Sequence, residues 1–199
     1  MSPQAPLRWS LVIPIKPLTL AKSRLAGLAG PRRGELALAM AADTVTALLA
    51  CPAVARVVVV TDDATAGAEL GGLGAVVIPD RPGGGLNPAL VFGAAYAADR
   101  WPGHGRAALA ADLPALRPAE IGAALAAASL WPAAFVPDAA GTGTTLYAVG
   151  PLGEFSPRFG PGSRDQHVAS GAAELDLPGI PGLRQDVDTA ADLSSAAGL

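Results

Sequence analysis

The chain has 199 residues, 51% of them hydrophobic and only 16% charged, with a net charge of −3; that is apolar material for one sizeable core and points to a single domain over residues 1–199. Fourteen scattered cations cannot assemble a basic face, which argues against nucleic acid as a partner. One cysteine, Cys51, excludes a disulfide framework and a cysteine-based zinc site, and two histidines, His104 and His167, are too few for a histidine metal cluster.

In chain order, WSLVIPI (9–15) reads as the first strand, and PRRGELALAMAADTVTALLA (31–50) as a helix with Pro31 in its first turn. VARVVVVTD (54–62) is apolar on both faces, as a central parallel strand is. A short helix (64–71), the strand AVVIP (75–79), the helix NPALVFGAAYAADR (87–100), the strand RAALAAD (106–112) and the helix RPAEIGAALAAAS (117–129) follow. The last third gives strands AAFVPD (133–138) and TTLYAVG (144–150), a helix RDQHVASGAA (164–173), a strand LRQDVD (183–188) and a C-terminal helix. Alternation of this kind predicts an α/β fold with a mostly parallel central sheet and helices on both faces. The connection between 138 and 144 is too short for a parallel crossover, so one antiparallel strand is expected there.

In such sheets ligands bind beyond the carboxyl ends of the strands. Lys16, Asp62, Asp80, Asp112, Asp138 and Asp188 all fall at or just past predicted strand ends. The chain's only two lysines, Lys16 and Lys22, lie in the first such loop, together with Ser23 and Arg24. Three cations and a hydroxyl at the mouth of a sheet suit a triphosphate, although a solvated loop would look the same. The loop has neither G-x-G-x-x-G nor G-x-x-x-x-G-K-[ST], so a dinucleotide fold and a P-loop are unsupported.

Asp112 ends an apolar strand before Leu113-Pro114 and suits Mg²⁺, which takes one or two carboxylates plus substrate phosphates; a turn or helix cap is the plainer reading. On the predicted strand 183–188, Asp186 and Asp188 would share a face, and a metal shared with Asp112 would relieve their repulsion. Thr189-x-x-Asp192 also reads as a capping box for the last helix. GTGTTLY (141–147) has glycines and threonines suited to an anion. In FGPGSRDQHV (159–168), Ser163-x-x-Gln166 reads as a capping box, and the N-terminus of that helix as an anion site. Asn87, after a glycine run, could contact a base or ribose, or serve as the N-cap before Pro88; His167 reads as packed inside its helix.

The ordered set IPIKPLTLAKSRL, TDD, GLNPAL, AADLPAL, GTGTTLY, FGPGSRDQHV and DVDTAADL, spanning nearly the whole chain, resembles the guanylyltransferases that join GTP to phosphoenolpyruvate or 2-phospho-L-lactate in making coenzyme F-420. The resemblance implies a Rossmann-like nucleotidyltransferase fold. It implies that Lys16, Lys22 and Arg24 act on the triphosphate, with Ser23 and Asn87 also at the nucleotide. It places Thr145, Gly160 and Ser163 at the acceptor's phosphate or carboxylate, and Mg²⁺ on Asp112 and Asp188, Asp186 being the alternative to the latter. The partners implied are GTP and a small phosphorylated three-carbon acid. Arginine in place of lysine, with abundant Ala and Gly, is the composition of a GC-rich genome, which favours the branch associated with phosphoenolpyruvate over 2-phospho-L-lactate.

Two other readings stand beside it. A molybdopterin or sugar-phosphate nucleotidyltransferase is disfavoured because the glycine-pair loop before Lys16 is missing and Asp112 has no D-x-D partner. A non-catalytic nucleotide-binding module would not need carboxylates at two strand ends. With no run of 18 apolar residues and no charged-then-apolar leader, a soluble cytoplasmic protein with no membrane partner is expected, and a homodimer is left open.

Overall fold

The computed structural model describes residues 6–20 and 30–199. Its elements are β1 (Trp9–Pro14), α1 (Arg33–Leu49), β2 (Val54–Val60), α2 (Ala64–Gly72), β3 (Val76–Ile78), α3 (Leu86–Arg100), β4 (Gly105–Leu109) and α4 (Pro118–Ala128). They continue with β5 (Ala133–Pro137), β6 (Thr144–Val149), α5 (Ser163–Ala169), β7 (Ala173–Glu174), α6 (Pro181–Arg184) and α7 (Ala190–Ala196). Short 3₁₀ turns cover Leu18–Leu20 and Gly30–Arg32.

The strands form one seven-stranded sheet in the order β3-β2-β1-β4-β6-β5-β7. The first four are mutually parallel. β6 is the antiparallel strand expected from the short 138–143 connection, but it does not lie at an edge: it inserts between β4 and β5 and pairs antiparallel with both. Because β6 runs the other way, its first residue, Thr144, arrives at the edge of the sheet where β1, β2, β4 and β5 finish. The amino end of β6 and the carboxyl ends of β1, β4 and β5 thus meet around one space.

Both faces of the sheet are covered, which is why the strand residues are apolar without alternation. Leu11, Ile13, Val57 and Val59 face a core shared with α1 and α4. Val12, Val58, Val60 and Ala108 face α3. At that second face the helix lies very close to the strands. A β-carbon at Gly93 would overlap the side chains of Val12 and Val60, so only glycine lets α3 sit down on the sheet.

The segment 183–188 is not the strand expected from its sequence. Pro181 opens the single-turn helix α6, and the chain then runs on without ladder partners. Backbone links tie this run to two strand ends: Val187 N–H donates to Asp112 O at 3.1 Å, and Arg184 O accepts Ala139 N–H at 2.8 Å. Leu183 and Val187, the apolar pair that suggested a strand, are buried in two different clusters. Similarly, α5 starts at Ser163 and stops at Ala169, shorter than 164–173, and the two-residue β7 takes up Ala173.

Candidate active site

A cavity of about 550 Å³ opens at this meeting of strand ends. One wall comes from the end of β1 with Lys16 and Leu18, and from Ala37 and Ala41 of α1. The facing wall is Thr142–Thr144 and the loop Phe159–Ser163. Asp112, Asp138, Asp186 and Asp188 form its floor.

The acids reach the floor from three segments that hold one another in place. Thr44, buried in α1, sets the β4 end: its hydroxyl lies 2.8 Å from Met40 O and 3.2 Å from Ala111 O, and accepts the N–H of Leu113 at 3.1 Å. One side chain thus grips the backbone on both sides of Asp112. Asp112 O in turn accepts Val187 N–H, which sets Asp186 and Asp188 on either side of that bond. The carboxylate of buried Glu120 accepts Gly182 N–H at 3.1 Å and so fixes α6. Arg184 donates through Nη2 to Asp138 O at 3.1 Å, while its own carbonyl accepts Ala139 N–H at 2.8 Å. Asp138 accepts the N–H groups of Thr142 and Gly143, both at 2.9 Å. A β-carbon at Gly143 would collide with that carboxylate, so the tight loop requires glycine.

Crowding of acids has an electrostatic cost. Burial, and then the carboxylates of Asp112, Asp138 and Asp188, push the Asp186 carboxyl up to about 6. Among the described residues, no three Asp, Glu, His or Cys side chains are grouped tightly enough to cage a metal ion by themselves. The two observations agree once distance is considered: charges repel over a longer range than a coordination shell spans. An all-oxygen donor set of this kind, open on its substrate side, suits Mg²⁺, which keeps waters and substrate phosphates in its shell and needs only one or two carboxylates.

The loop after β1 begins with Ile15 N–H donating to Val60 O at 2.9 Å. Leu18 N–H donates to Asp63 Oδ2 at 2.9 Å. Asp63 also N-caps α2 through Thr65 and Ala66 N–H, and its carboxyl is held below the usual range, chiefly by the Leu18 N–H and then by Ala66. Lys16, between these anchors, is exposed at the cavity mouth. Lys22, Ser23 and Arg24 lie outside the described residues.

On the facing wall, Gly160 and Ser163 line the cavity. Thr145 does not; Thr144 does, because successive strand residues point to opposite faces. The Thr145 hydroxyl is buried and has no hydrogen-bond partner among the described residues. Ser163 is the first residue of α5 rather than its cap, that place being taken by Gly162, and Gln166 turns to donate to Pro161 O at 3.1 Å; the expected Ser163-x-x-Gln166 box does not form. The Thr189-x-x-Asp192 box does form. Asn87 is not among the lining residues: its amide donates to Phe159 O at 2.9 Å and accepts Phe159 N–H at 2.8 Å. Asn87 lies inside α3, whose N-cap is Gly85, so the expected N-cap role is not the one it takes.

Asp63 and Thr44 escaped sequence reading. Asp63 could have been found as a cap residue, being followed by Ala-Thr-Ala at a predicted helix start. Thr44 carries no local signal for this role, because its partners at the β4 end are 67 and 69 residues away.

An α/β sheet with one reversed strand, a lysine at the first loop and acids at two later strand ends defines a nucleotidyltransferase type of architecture. A nucleotidyl transferase from Methanothermobacter thermautotroptrophicus has this fold, with a TM-score of 0.63 at 20% identity over 94% of this chain and 95% of its own. Residues 9–177 match the family described as guanylyl transferase CofC like, and the chain belongs to that family. It is 60% identical over 198 residues to the phosphoenolpyruvate guanylyltransferase of Thermomonospora curvata, covering 100% of this chain and 87% of the relative. Its identity to the Streptomyces coelicolor protein of the same name is 59% over 195 residues, covering 97% and 92%. Among the described residues, no helix is long and apolar enough to cross a membrane.

Proposed function

We propose that this chain transfers GMP from GTP to phosphoenolpyruvate in coenzyme F-420 biosynthesis, acting as a cytoplasmic, Mg²⁺-dependent enzyme. The observation that carries the reading is the near-full-length identity to phosphoenolpyruvate guanylyltransferases, joined to a cavity with a cation at one wall and acids across its floor.

The acceptor's phosphate monoester, with a second pKa of about 6, is largely a dianion at neutral pH and needs no general base. One of its oxygens bonds to the α-phosphorus of GTP as the bond from that phosphorus to the β-phosphate's bridging oxygen breaks; pyrophosphate leaves with the electron pair. Lys16 meets the triphosphate, with Lys22, Ser23 and Arg24 in the same stretch of chain. Gly160 and Ser163 receive the acceptor. Asp112 with Asp188, or with Asp186 in its place, would hold Mg²⁺, which when bound supplies charge neutralisation for two highly anionic reactants. The protein's own contribution is positioning: anions that repel in water are held on opposing walls of one cavity.

The test is pyrophosphate release with GTP and Mg²⁺, run in parallel with phosphoenolpyruvate and 2-phospho-L-lactate. Release with phosphoenolpyruvate is expected. Release with 2-phospho-L-lactate alone would reassign the acceptor, and silence with both from folded protein would sink the guanylyltransfer reading. Loss of release in EDTA, restored by Mg²⁺, is the expected outcome for the metal.

A further inference from the structure

The loop that lines the facing wall is fastened where it enters the cavity, and by side chains rather than by sheet or helix. Arg158 N–H donates to His167 Nε2 at 3.0 Å. The next residue, Phe159, exchanges two hydrogen bonds with the Asn87 amide. Both bonds of Phe159 therefore run to α3, while that of Arg158 runs to α5, which carries His167.

The tautomer of His167 follows from its partners. Nε2 accepts a backbone N–H, so it carries no proton; Nδ1 carries the proton and stands 3.0 Å from Thr144 Oγ1. The ring is fully buried, stacked on Tyr147 at 4.9 Å and on Phe135 at 5.3 Å, with Phe159 edge-on at 5.8 Å. It thus joins the loop entrance to Thr144, a residue of the same cavity wall. The other edge of that wall is tied to the same helix: Arg164 N–H reaches Thr142 O at 3.3 Å. Asn87, His167 and Thr144 form a frame around the wall without themselves supplying a charge.

We infer that Asn87 and His167 are positioning residues that hold Phe159–Ser163 in the shape that receives the phosphorylated acid, and so set affinity for the acceptor and not for the nucleotide. The inference rests on the acceptor placement at Gly160 and Ser163 proposed above. The selectivity arises because, among the described residues, the hydrogen bonds of these side chains run to Arg158, Phe159 and Thr144 on the acceptor side of the cavity and not to the β1–α1 wall where Lys16 stands. Removing the Asn87 amide frees Phe159 N–H and C=O together. Replacing His167 by Phe keeps the ring stack but leaves Arg158 N–H without an acceptor, whereas Gln can restore one.

The test is calorimetric titration of phosphoenolpyruvate into the full chain saturated with the α,β-methylene analogue of GTP and Mg²⁺, with the analogue titrated separately. Asn87→Ala is expected to weaken phosphoenolpyruvate about 10-fold and the analogue by less than about twofold. His167→Phe is expected to do the same, with most of the affinity recovered in His167→Gln. If His167→Phe does not fold, Asn87→Ala decides alone. Unchanged phosphoenolpyruvate affinity in Asn87→Ala, or equal weakening of both ligands, would overturn the inference. An affinity split in the variants, with no pyrophosphate released by the wild-type protein, would leave the positioning role standing and remove the guanylyltransfer reading. Wild-type protein that binds no phosphoenolpyruvate would remove both.

Discussion

The two walls of the cavity are built by different means. On the β1–α1 side, apolar strand and helix residues run almost to the rim, and the loop carrying Lys16 is held by backbone contacts and by one carboxylate, Asp63. On the β6–α5 side, the wall is shaped by buried polar side chains, Thr144 and His167, with Asn87 reaching in from α3. The first wall offers charge and the second offers shape. A transferase for two small anions needs both: the triphosphate is long and is recognised by cations, while the acceptor is compact and is selected by fit.

Breaking the charged floor has the largest expected effect. Asp112→Asn should lower pyrophosphate release about 1,000-fold, as the loss of a principal electrostatic element does, with the thermal midpoint kept or raised because a repelling charge is gone. Lys16→Ala should cost about 100-fold in kcat/KM for GTP, with the acceptor's KM little changed. An equal rise in both Michaelis constants would erase the distinction between the walls.

The polar wall is sharpened by pH. Burial lowers the His167 pKa from 6.5 to about 4, with the Arg158 charge adding to it. A folded-state value below the unfolded one gives stability that is present above pH 6.5 and lost as pH falls through 4. Wild-type protein should therefore lose on the order of 2 kcal/mol between pH 7 and 4 in denaturant titrations, beyond what His167→Gln loses. The smallest expected effect lies in the packing of α3. Gly93→Ala should destabilise by about 1 to 2 kcal/mol, by forcing α3 off Val12 and Val60, and lower the midpoint of denaturant titrations accordingly.

Much of the fold was legible in local pattern. The run Val57–Val60, apolar on both faces, could only be a central strand, and the short connection after Asp138 required a reversed strand. Where that strand would insert was not legible, since pairing partners are chosen by burial across the whole sheet. The site divides the same way. Asp112 and Lys16 stood out because they follow apolar strands at the sheet end where ligands of such folds bind. Asp186 and Asp188 were recognised as acids but placed on a strand that does not exist. Their position depends on long-range bonds such as that from Val187 N–H to Asp112 O, across 75 residues, which no local pattern can encode.

The sequence by itself therefore determined the class of fold, the end of the sheet where the cavity opens, and the family, because apolar periodicity and ordered motifs are local properties. Only the tertiary structure decided how the polar residues share the work. Asn87 carries the same amide whether it meets a nucleotide or a loop, and His167 the same ring whether packed or catalytic. What assigns each its role is the group that long-range packing brings within 3 Å: Phe159 for Asn87, and Thr144 and Arg158 for His167.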